Sequence, residues 1–125
     1  MGRFYNGDIE GKFWVAIQSS DDASFFGGSE NQPNYINYSF NEEDDLDTIK
    51  DGIKKCEVEL GEYKEKIDEF FEKNNGYNDI KVAKALETDE TKARELLVWY
   101  ARLELGTKIL KCVEKQGSCL FEAEL

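Results

Sequence analysis

The hydrophobic positions change period near residue 41. Beyond it, Leu46, Ile49, Ile53, Cys56, Leu60, Tyr63, Ile67 and Phe70 step by three and four residues, the spacing that lines one face of an α-helix. Asn41 is placed to cap this helix, and Glu42, Glu43, Asp44 and Asp45 fall in its first turn, where the macrodipole favours acids. Asn74-Asn75-Gly76 reads as its end. A short helix is expected at Asp79 to Leu86, then a second long one from Asp89 to Lys115. Its face carries Leu96, Tyr100, Leu103, Leu110 and Val113, and Gly117 closes it. At 1.5 Å rise per residue each long helix spans roughly 40 Å.

Before residue 41 the period is two. Lys12 to Gln18 alternates, with Phe13, Val15 and Ile17 on one side, which predicts a strand. Asn6-Gly7 predicts a turn that folds Arg3 to Tyr5 back against it, and Asn34 to Phe40 predicts a third strand. Between them, SSDDASFFGG reads as one helical turn capped by Ser20 and stopped by Gly27. The alternation returns at Cys119, Phe121, Ala123 and Leu125, so the chain closes as a strand. The expected fold class is α+β: one domain over 1–125, with a small antiparallel sheet from the N-terminal strands plus the C-terminal strand. Two long antiparallel helices pack with that sheet. Leu97, Val98, Trp99, Leu105 and Ile109 widen the apolar band of the second helix beyond one seam, which predicts at least a homodimer.

Composition narrows the chemistry. The 125 residues include no histidine, which excludes Ser-His-Asp and Cys-His catalysis and His-ligated zinc. A formal charge of −11 argues against broad contact with nucleic acid or an anionic membrane, while a small anion in a locally basic pocket fits. Cys56, Cys112 and Cys119 are odd in number and lack CxxC spacing, so they read as free thiols. No apolar run reaches the length of a membrane span and no signal-peptide layout is present, so the expectation is a soluble intracellular protein.

Candidate chemistry concentrates near the N-terminus. The stretch GRFYNGDIEGKFW over 2–14 mixes three glycines, four aromatics, both basic residue types and two acids. Its glycines form neither GxGxxG nor a phosphate loop, and the acidic run Asn41 to Asp47 lacks calcium-loop spacing. No metal or cofactor is therefore expected. Tyr5 and Trp14 suit a pocket wall on which a base stacks, Arg3 and Lys12 suit phosphates, and Asp8 suits ribose hydroxyls. Arginine occurs only at 3, 94 and 102. Arg94 reads as solvated. Arg102 and Lys108 near the apolar face read either as phosphate ligands or as partners of nearby acids.

The segment GRFYNGDIEGKFWVAIQSSDDASFFGG, followed by a helical body and a last short strand, resembles small bacteriophage proteins of the Thoeris anti-defence family. The resemblance implies a non-enzymatic sponge in the cytoplasm of the infected bacterium. Such a protein binds a cyclic ADP-ribose isomer, glycocyclic ADP-ribose, made by TIR-domain proteins, and withholds it from the immune effector without cleaving it. It also implies an oligomer that takes the nucleotide between subunits. The alternative reading is an acidic phage module that inhibits a host enzyme by protein contact.

Overall fold

A computed structural model describes residues 3–14, 17–31, 35–73 and 79–124. Strands β1 (Phe4–Gly7) and β2 (Gly11–Lys12) lead to a 3-10 turn over Asp22–Phe26, then β3 (Ser29–Asn31) and β4 (Tyr35–Asn41). Helices α1 (Glu42–Leu60), α2 (Tyr63–Lys73), α3 (Asp79–Ala85) and α4 (Glu90–Gln116) follow, and β5 (Ser118–Glu124) comes last. The five strands form one antiparallel sheet in the order β2-β1-β5-β4-β3. The α+β class is as expected, with α1 and α4 as its long antiparallel pair. The Glu42 amide at the start of α1 donates to the Gly117 carbonyl at the end of α4, so the two helices run in opposite senses.

Alternation explains the sheet. Ile36, Tyr38 and Phe40 of β4, Cys119, Phe121 and Ala123 of β5, and Tyr5 of β1 all turn inward and are buried. Phe121 stacks on Tyr38 at 5.2 Å and on Phe40 at 6.1 Å between ring centres. Against this face lie Ile49, Cys56 and Leu60 of α1 and Leu96, Leu97, Leu105, Ile109 and Val113 of α4. The caps follow the sequence: Asn41 accepts from the Asp44 amide at 2.7 Å, Asp89 accepts from the Lys92 amide at 2.7 Å, and Gly117 is left-handed with φ 83°.

Two glycines inside helices have a packing reason. Gly costs about 1 kcal/mol relative to Ala in a helix interior, so its use there needs an explanation. A methyl at Gly52 of α1 would lie 2.7 Å from the Phe26 ring, and one at Gly106 of α4 would lie 2.4 Å from it. The two glycines open a slot between the helices, and Phe26 of the 3-10 turn fills it completely buried.

Three expectations need correction. The seam from Leu46 to Phe70 belongs to two helices, because Gly61 takes φ 53° and ψ −132° and ends α1. Lys12 to Gln18 is no strand over its described part. Beyond Lys12 the chain curls, with the Ile17 and Gln18 amides both donating to the Trp14 carbonyl, while Val15 and Ala16 lie outside the described residues. Asn6-Gly7 is no turn either. Both residues continue β1, and Gly7 is required because a Cβ there would meet the Leu120 carbonyl at 2.5 Å. Leu97, Leu105 and Ile109 of the wide band on α4 are buried within the one chain. The Asn74-Asn75-Gly76 helix end and Leu125 lie outside the described residues. The 3-10 turn lacks the Ser20 side-chain cap, whereas Gly27 does end it. No helix among the described residues is long and apolar enough to cross a membrane.

Candidate functional site

The seven candidate residues separate into two groups. Four are engaged by the fold. Arg3 donates to the Ser20 hydroxyl and the Gln18 carbonyl and lies over the Phe13 ring, which ties the N-terminus to the curl after β2. Asp8 accepts from the Leu120 amide at 2.9 Å, extending the β1–β5 ladder by one side-chain bond. Trp14 is half-buried, edge-on to Phe71 at 5.5 Å and to Tyr100 at 6.0 Å. Arg102 donates from Nε to Asp22 Oδ1 at 2.8 Å, with its guanidinium over Phe25 and Trp99 at 4.5 and 4.9 Å. Asp22 also accepts from Gln18 Nε2 at 2.8 Å and is itself buried, so this carboxylate has a partner for each oxygen.

The other three are Tyr5, Lys12 and Lys108, of which Tyr5 meets Lys108 directly. Lys108 Nζ donates to the Tyr5 hydroxyl at 2.8 Å and to the Glu10 carbonyl at 3.2 Å. Tyr5, Glu10 and Lys12, together with Phe4, Asn6 and Gly11, line a hollow at the sheet edge. Gly11 keeps the approach open, since a Cβ there would fall 2.4 Å from the Tyr5 hydroxyl and 2.7 Å from Lys108 Nζ. On its other side Lys108 lines a groove of about 370 Å³ between α1, α2 and α4. Lys108 is thus the joint between two depressions. An ammonium has three donors, and two of these are used here.

The groove adds residues that the sequence reading did not single out. Ile53 and Leu103 give it apolar surface, Lys64, Tyr100, Thr107 and Lys111 give it donors, and Glu57, Asp68 and Glu104 balance its lysines. Tyr100 donates its hydroxyl to Asp68, which also accepts from Lys64 at 3.0 Å. Burial pushes the Asp68 carboxyl up, but these two hydrogen bonds outweigh it and hold the group below its ordinary 3.8. Burial, then the bond to Asp68, drives the Tyr100 phenol well above its ordinary value, so it stays a neutral donor. Neither Lys12 nor Lys111 makes a side-chain bond among the described residues. A signal for the groove was present: Tyr100, Glu104, Thr107, Lys108 and Lys111 step by three and four along α4, a polar stripe beside the apolar one.

Chemically, the groove offers lysines and acids in equal number, a tyrosine and an apolar wall, with Lys108 bonded to Tyr5 at its edge. Comparison with protein-family models, curated proteins and solved structures gave no match.

Proposed function

We propose that the protein binds and sequesters a small nucleotide signal of the cyclic ADP-ribose kind at the Lys108 junction, without cleaving it. The observation that carries this reading is the position of Lys108 Nζ, held by Tyr5 and Glu10 between the Lys12 hollow and the groove of Lys64 and Lys111. A pyrophosphate needs more than one cation, and Lys64, Lys108 and Lys111 reach this groove from two helices, with Glu57, Asp68 and Glu104 among them. The resemblance to the Thoeris anti-defence family supplies the setting: a phage product withholding glycocyclic ADP-ribose from a bacterial immune effector.

The test is retention of intact ligand. The protein is incubated with glycocyclic ADP-ribose, filtered and heated, and the released compound is identified. Unaltered nucleotide freed only by heat is the expected outcome, and an altered product would mean a hydrolase. Lys108→Ala should weaken binding by about tenfold or more, since charge-assisted hydrogen bonds are worth about 1.5 to 3 kcal/mol. No retention by the unmodified protein favours the protein-contact reading instead, for which the exposed acids Glu42, Glu43, Asp44 and Asp47 at the start of α1 offer a surface.

A further inference from the structure

A second basic feature shares no residue with the Lys108 groove. Between α2 and α3 lies a cleft of about 540 Å³ lined by Lys66, Lys73, Lys81 and Lys84, with Phe70 and Ala85 giving it apolar surface. Among the described residues, Glu69 and Glu87 are the acids that line it with these lysines. Glu69 is already committed, accepting from Lys73 at 2.6 Å. Lys66 rests its ammonium over the Tyr63 ring at 5.4 Å, and Lys84 is exposed with no side-chain bond among the described residues. Acids outnumber bases 27 to 16 in the chain, yet this cleft reverses the ratio. Lys66 on α2 and Lys84 on α3 line this one concavity, and neither has a carboxylate partner among the described residues.

We propose that the α2–α3 cleft is a second anion site, taking a compact ligand with two or more linked phosphate groups. The ligand's charges bridge Lys66 on one wall and Lys84 on the other. The concave shape and its apolar surface suit a small molecule more than an extended acidic chain. Ammonium groups on flexible stems suit phosphates as point charges, without the planar fork that selects carboxylates.

Inorganic tripolyphosphate is the probe, titrated calorimetrically into the full chain at low ionic strength and again at about 0.3 M salt, where exposed charges are screened. Binding that weakens with salt, falls at least tenfold in the Lys66→Glu/Lys84→Glu double variant and persists through this cleft in Lys108→Ala is the expected result. Because the last comparison separates the two sites, failure here leaves the Lys108 reading standing, and the reverse also holds. If the double variant melts early, Lys84→Gln alone, at an exposed position, should still cost about threefold. No heat at low salt, equal binding by the lysine variants, loss of binding in Lys108→Ala alone, or equal affinity for single sulfate ions would each overturn the proposal.

Discussion

Arg102 and Lys108 sit less than two turns apart on α4, and the chain uses them in opposite ways. Around Arg102 the charges are matched: its Nε meets Asp22, Asp22 meets Gln18, and the guanidinium lies against two rings. Around Lys108 the contacts are made through the Tyr5 hydroxyl and a main-chain carbonyl, at the mouth of two depressions. The first region fastens the 3-10 turn to the helices; the second leaves a cation at the surface. The difference follows from side-chain chemistry. A planar, weakly hydrated guanidinium can be buried between rings, whereas an ammonium on a flexible stem keeps its solvent and remains free to meet an anion.

The comparison breaks if the two regions respond alike to substitution. Asp22→Ala should have the largest effect, about 3 kcal/mol lost in a urea titration, because it strands Arg102, whose side chain is only 21% exposed, and a buried amide of Gln18. A variant as stable as the parent would show that the Arg102 region is not a clamp. Gly106→Ala comes next, at about 1 to 3 kcal/mol, since its methyl must displace the buried Phe26 ring and the slot on α1 leaves no room. Unchanged melting there would mean that the turn can leave its slot without cost.

On the groove side the effects should be smaller and tied to pH. Asp68 has a folded value below 3.8, so its stabilising contribution is complete above that and is lost as the pH falls through its own lower value. Asp68→Asn should therefore lower stability modestly near neutrality and flatten the further loss as the pH falls below about 4; an acid limb identical to the parent's would remove Asp68 from the account. Smallest of all, Lys108→Met should cost no more than about 1 kcal/mol of stability, measured by the same urea titration. A loss as large as that of Asp22→Ala would make Lys108 a structural residue and erase the contrast.

The sequence carried the helical seams and the alternation of Cys119, Phe121 and Ala123 plainly, because one buried face repeats along each element. It carried the break at Gly61 poorly, since the apolar spacing runs on through Tyr63 and Ile67 and conceals a backbone that departs for two residues. The curl after Lys12 was hidden for a related reason. Phe13 and Ile17 look like strand positions, but the segment satisfies its amides locally through Trp14 and Gln18. The site was half legible. Residue type singled out Arg3 and Arg102, and tertiary partners decided that they serve the fold. The Lys108 junction depends on Tyr5 and Glu10, about a hundred residues away in sequence, and no local pattern announces such a meeting.

The placement of β5 has a consequence for how the molecule comes into being. The strand at the middle of the sheet is synthesised after the other four, and its neighbours β1 and β4 have no bridge to one another without it. Joining Tyr5 to Ala123 closes a very long loop, a slow step compared with forming the helices between them. During synthesis the inward faces of β1 and β4, with Tyr5, Ile36, Tyr38 and Phe40, wait unpaired while α1 to α4 emerge. The helices therefore have time to dock first, and the sheet is completed afterwards by a single strand arriving between two that are already waiting for it.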